Sequence, residues 1–255
     1  MHPKTIFLIT LSAILIVGVF SIDPISQDPT YHAFADARAI LGVPNFWNVA
    51  SNVPFLLVGG AGIYFASSKN RGGMLPEIHL AYLIFFVGVF LTGFGSAYFH
   101  LAPGNDTLLW DRLPMTIGFM GLFTIIIGEH ISLPAARLLL IPLLVIGAAS
   151  VAYWGATESR GAGDLRAYAI VQFLPMILIP LILLTYRSIF GSVDFLWLVI
   201  VLYAFSKLFE YFDSLVFDFV GLISGHSVKH VVAAMAPLVF LYGLNNRRLD
   251  YAEQS

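Results

Sequence analysis

Long apolar runs, separated by short polar connections, set the pattern of this chain. A helix needs about 20 predominantly apolar residues to cross roughly 30 Å of hydrocarbon. Stretches of that kind fall at residues 5–22, 46–67, 80–101, 108–128, 137–154, 167–186, 195–220 and 225–244. The pattern predicts an all-α integral membrane protein: a seven-helix bundle plus one N-terminal hydrophobic segment. In that first segment Lys4 precedes a short apolar run, and Val19 and Ser21 stand where a signal peptidase accepts small residues. It reads as a cleaved signal or an extra anchor helix, with the anchor preferred. The chain then divides into the N-terminal segment 1–22, an extracytoplasmic segment 23–45, the seven-helix membrane domain 46–244 and a cytoplasmic tail 245–255.

Composition strengthens this reading. Of the 255 residues 58% are hydrophobic and only 11% charged, with a mean hydropathy of +0.85; a soluble domain carries about 25% charged residues. The absence of cysteine excludes disulfide and thiolate chemistry. A net charge of -2 offers no basic surface for nucleic acid. Orientation follows from the basic residues. A core whose first helix starts outside puts Lys4, Lys69, Arg71, Arg137, Arg187, Arg247 and Arg248 on the cytoplasmic side, against Arg38, Arg112, Arg160 and Arg166 outside.

That topology gathers polar side chains at one depth. His100 ends the second core helix, Asp111 begins the third, and His226 and His230 begin the seventh, all toward the outer side. Residues four apart stack on one helix face, so His226 pairs with His230 and Ser96 with His100. Three histidines leave a tetrahedral zinc ion one open position, the catalytic pattern, and zinc makes hydroxide available at neutral pH. Asp111 could accept a proton from the attacking water, and Ser96 could donate to an oxyanion. The plainer alternative is a set of interfacial histidines bonded to water or carbonyls. His2, His32, His79 and His130 show no spacing that links them to the site.

The stretches FWNVASN (residues 46–52), GFGSAYFH (93–100), WDRLPM (110–115) and GHSVKH (225–230) resemble the alkaline ceramidases. These belong to a superfamily of seven-helix membrane hydrolases that includes adiponectin-receptor-like proteins. The likeness spans residues 45–244 with order and spacing kept. It implies a zinc amidase that splits the N-acyl bond of ceramide, or of a related membrane lipid, into a sphingoid base and a fatty acid. His100, His226 and His230 would be the zinc ligands, Asp111 the general base, Ser96 the support of the oxyanion or metal, and Tyr168 an assisting residue. The chain departs from the animal enzymes in two places. Asn45 stands where they have a calcium-site glutamate, and Asp23, Asp28 and Asp36 lack the matching spacing, so calcium is not carried over. Lys229 stands where they have an aromatic residue.

Polar residues remain in the sixth core helix: Lys207, Glu210, Asp213 and Asp218. Lys207 and Glu210 are spaced for an internal ion pair. Glu210, Asp213 and Lys229 are expected to orient a ligand imidazole or one another. Asn48 and Asn52 should bond between helices, and Pro175 and Pro180 should kink the fifth core helix. A lipid esterase or phospholipase would use the same zinc water. A receptor would need the metal only to hold helices, and a transporter would need polar groups through the full membrane depth. Acyl-chain length, head group and oligomeric state are beyond the sequence.

Overall fold

The computed structural model describes residues 2–68 and 72–249; Lys69, Arg71 and the tail from residue 250 lie outside them. Ten α-helices occur among the described residues, in chain order: α1 (Pro3–Phe20), α2 (Phe46–Ala50), α3 (Val53–Ser67), α4 (His79–Leu101), α5 (Asn105–His130), α6 (Leu133–Glu158), α7 (Arg166–Thr185), α8 (Phe195–Tyr211), α9 (Asp213–Val220) and α10 (Gly225–Asn246). No strand occurs among the described residues, only two isolated bridges. The chain is all-α, as its apolar periodicity requires.

Among the described residues seven helices are long and apolar enough to span a membrane, counting α2 and α3 together as one span and including α1 near the N-terminus. The bent pair α8 and α9 would make an eighth. The continuous helix expected over 195–220 is broken at Phe212, where the axis turns by 77°. The run holds neither Gly nor Pro, so no helix breaker marks the place, although Glu210, Asp213 and Ser214 flank it. Prolines within α5, α6, α7 and α10 leave those helices unbroken. Large apolar side chains such as Leu57, Leu138, Val145, Leu184 and Tyr242 face outward, as a lipid-facing surface requires.

Helix α5 runs through the middle of the bundle, packed on α4 and α6. Close approach of α4 depends on Gly95, where a Cβ would stand 2.0 Å from the Trp110 carbonyl oxygen. That contact brings the end of α4 against the start of α5. The two opposite ends of the bundle are chemically distinct. At one, Arg247 pairs with Glu129, which also accepts from Tyr82, while the Arg247 Nε donates to the Gly73 carbonyl at 3.0 Å. Helix α1 starts at that end: Lys4 Nζ donates to the Thr185 carbonyl at 2.6 Å, and Thr5 and Tyr186 share a hydroxyl hydrogen bond of 2.9 Å. The other end collects the histidines.

Candidate active site

Three imidazoles meet where α4 ends and α10 begins. The ring centroids of His100, His226 and His230 lie 4.9, 4.9 and 5.0 Å apart, a nearly equilateral triangle. All three side chains are buried, and one ligand atom from each falls within 4.8 Å of the others. The four-residue spacing of His226 and His230 on α10 supplies two corners, and α4 supplies the third.

A hydroxyl on α2's C-terminal side orients one of these rings. Ser51 Oγ donates its only hydrogen to the Asn48 carbonyl at 3.2 Å, so at 2.8 Å it accepts from His230 Nδ1–H. This pairing assigns the proton to Nδ1, the tautomer in which His230 Nε2 keeps a free lone pair facing the other rings. His100 Nε2 lies 3.3 Å from that atom. Two nitrogens held about 2.0–2.1 Å from one tetrahedral ion would stand about 3.3 Å apart, so this pair already has a metal chelate's spacing. The α4 side is anchored by Asn45, whose Nδ2 donates to the His100 carbonyl at 2.9 Å. Phe34 closes over the cluster, with its ring 4.6 Å from His100 and 4.7 Å from His226.

One group competes with a metal for the third ring. Lys229 Nζ lies 2.9 Å from His226 Nε2 and 3.1 Å from Glu210 Oε1. An ammonium that donates to His226 Nε2 occupies the lone pair a ligand there would use. Release of that bond leaves Lys229 paired with Glu210, which Lys207 Nζ also holds at 2.6 Å. The residues present therefore fit a divalent ion, provided the lysine stays on its carboxylate.

The other expected residues fall around this centre. Ser96 and Asp111 line a cavity of about 310 Å3, together with Tyr168, Lys207, Glu210 and His230. The Ser96 hydroxyl interacts with the Asp111 carboxylate across the α4–α5 contact. Tyr168 is buried in the same wall, with its ring 4.8 Å from the Arg112 guanidinium. Asp213 has a different task from the one expected: Oδ1 accepts from the His226 backbone N–H at 2.7 Å, and Oδ2 accepts from Ala35 N–H at 2.9 Å. It fixes the start of α10 and the loop over the site rather than an imidazole or Lys229. Asp218 is exposed. Asn48 does bond between helices, accepting from Ser227 Oγ on α10 at 2.7 Å, whereas Asn52 bonds within its own segment, to the Asn48 carbonyl. His32 contacts Phe99 and bonds Asn105 at 2.8 Å, outside the triad.

Sequence reasoning missed Ser51, the Asn45 bond, Phe34 and Arg112. Ser51 stands inside the FWNVASN stretch, one turn past Trp47, so its place in a motif was the available signal. Residues 25–40 carry no periodic pattern that could have placed Phe34 over the rings.

A second, apolar cavity of about 150 Å3 adjoins the first. Phe55, Thr92, Met115, Tyr203 and Ala233 line both, and the second continues past Phe85 and Leu122 to Pro237. A polar chamber leading into an apolar arm suits a lipid with a polar linkage.

No curated protein sequence matches the chain. Residues 41–254 match the ceramidase family, which covers the histidine triad, Ser96 and Asp111. With that match extending over most of its length, the chain belongs to the ceramidase family, and its buried triad is able to hold a metal ion, consistent with a ceramidase-like hydrolase of an amide bond.

Proposed function

We propose that the protein is a zinc-dependent intramembrane amidase that cleaves the N-acyl bond of ceramide or a related lipid amide, giving a sphingoid base and a fatty acid. The observation that carries this reading is the convergence of three buried imidazoles beside a carboxylate and a serine, on a cavity that leads into an apolar arm. His100, His226 and His230 would hold the ion. When bound, zinc supplies Lewis acidity and an acidified water.

The chain's own residues supply the rest. Asp111 takes a proton from the attacking water on a carboxylate oxygen and returns it to the leaving nitrogen. Ser96 donates to the oxygen that gains charge as the amide carbonyl is attacked. Tyr168 borders the same chamber and assists in holding the linkage. Glu210 would retain Lys229 once an ion takes the His226 lone pair that the lysine now contacts, and Asp213 keeps the first turn of α10 in register. The apolar arm receives the acyl chain and excludes water from it. The site would lie near the extracytoplasmic side with the C-terminus in the cytoplasm, as the distribution of basic residues favours. Residues 1–22 would remain as an anchor, an assignment supported by the contacts of α1 with α7.

An ester would pass through a similar tetrahedral state, so a lipid esterase is the reading to test against. Fatty-acid release from a ceramide and from an ester of the same acyl chain decides between them. We expect release from the ceramide, loss on chelation and recovery with zinc. Asp111→Asn should retain the metal and lose about 10²–10⁴-fold in kcat. Hydrolysis of the ester alone would overturn the amidase assignment, and undiminished turnover in the variant would remove Asp111 as the base.

A further inference from the structure

Arg112 follows Asp111 on α5 and is only 6% exposed. Among the described residues it has no carboxylate partner. Its Nη2 donates to Gln27 Oε1 at 2.6 Å, and its Nη1 is buried with no hydrogen-bond partner. Aromatic rings fill the rest of its surroundings: Trp154 at 4.2 Å, Tyr168 at 4.8 Å and Tyr31 at 5.8 Å from the guanidinium carbon. Ring faces offset part of the cost of burying the charge, but they do not satisfy the in-plane N–H donors of the guanidinium fork. A buried cation left in this condition is costly unless an anion completes it.

The cavity's charges point the same way. Its wall carries Arg112, Lys207 and Lys229 against Asp111 and Glu210, one cation in excess. Both lysines already share Glu210. Position then selects which part of a lipid Arg112 meets. Arg112, Tyr168, Ile25 and Leu165 line the polar chamber but not the apolar arm. An acyl chain in the arm, with its amide at Ser96 and Asp111, directs the non-acyl half toward this end.

We propose that Arg112 is a specificity-determining residue, pairing with an anionic oxygen group (a carboxylate or phosphate) on the non-acyl half of the lipid amide. Gln27 holds the guanidinium by one nitrogen and leaves the other for the ligand. The inference rests on the amidase reading above and, among the lipid amides that reading covers, ranks those with an acidic head group above neutral ones.

The test compares N-lauroylglycine with N-lauroylethanolamine, which differ mainly in that charge. Binding is followed by tryptophan fluorescence, to which Trp154 should contribute, in full-length Asp111→Asn protein so that no turnover intervenes. We expect the acidic lipid to bind at least about tenfold tighter. The ratio should approach one with Arg112→Gln added and be intermediate with Arg112→Lys, which keeps the charge but loses the fork. An unchanged ratio in both variants overturns the proposal, as does equal binding of the two lipids before Arg112 is altered. Weakened binding of laurate alone, with the amide ratio unchanged, also overturns it and assigns the guanidinium to the released carboxylate. Thermal unfolding of Arg112→Met checks the structural alternative. An unpaired buried cation replaced by an apolar chain should leave the midpoint equal or higher; a fall of several degrees would make the guanidinium a structural element. Laurate release by the wild type separates the two readings. No release from either lipid, with the binding ratio intact, counts against the amidase alone; release with equal binding counts against Arg112 alone.

Discussion

A serine hydroxyl has one hydrogen to give, and Ser51 gives it to the Asn48 carbonyl. With that hydrogen given away, the hydroxyl favours the His230 tautomer that carries its proton on Nδ1 and turns its lone pair toward His100. Such outer partners of ligand imidazoles are worth about 10–100-fold in metal affinity. Ser51→Ala should therefore weaken metal binding by that factor in a competition titration against a chelator, with the helices intact. Unchanged affinity would show that the tautomer is held some other way. At this scale the sequence was legible only where spacing is local. His226 with His230, and Ser96 with His100, could be read from four-residue intervals on single helices. Ser51 and His230 are 179 positions apart, and Asn45 and His100 are 55 apart. No periodicity links such pairs, because packing rather than helical pitch brings them together.

Elements were legible as apolar runs, and their mutual distances were not. Gly95 lets the Trp110 carbonyl come within reach of where a side chain would stand, and Gly225 does the same for the Phe209 carbonyl, which a Cβ would meet at 2.4 Å. The first contact sets Ser96 beside Asp111. The second sets α10 against α8, so that Lys229 reaches Glu210. A branched side chain at Gly95 must push α4 off α5, and overpacking of this kind costs about 1–3 kcal/mol or more. Gly95→Val should lower the thermal midpoint and reduce turnover by more than metal content falls, since His100 lies one turn further on. An unchanged midpoint would mean that α4 and α5 can separate freely. The break between α8 and α9 belongs to this scale too. No Gly or Pro marks it, whereas the packing requirement is plain: Asp213, just past the break, caps the first turn of α10 and the Ala35 loop.

Across the whole molecule, buried charges at the two ends of the bundle hold helices distant in sequence. Arg247 and Glu129 join α10 to α5 at one end. At the other, outside the spans, Asp164 accepts from Arg166 Nε at 2.9 Å, Arg166 Nη2 at 2.8 Å and Tyr153 Oη at 2.9 Å. Arg166 Nη1 also donates to the Ile22 carbonyl, tying the end of α1 to α7. The guanidinium lowers the Asp164 carboxyl from 3.8 to about 2. A depressed carboxyl contributes stability that is complete above its unfolded value and is lost as pH falls through the folded one. Thermal midpoints should therefore drop between about pH 4 and pH 2, and Asp164→Asn should lower the midpoint at neutral pH and flatten that drop. Parallel profiles for the two proteins would contradict this role. The fold class and the triad could be read from the chain, because membrane burial and ligand spacing both leave patterns. The loop that lays Phe34 over the rings, and the aromatic box around Arg112, arise only from the closed tertiary structure.

The central claim is that three imidazoles from α4 and α10 hold one catalytic metal ion. Elemental mass spectrometry of the purified protein and of His226→Ala tests it most directly. About one zinc per chain is expected in the wild type, and its loss in the variant. Wild type without metal, or zinc that survives removal of His226, would contradict it.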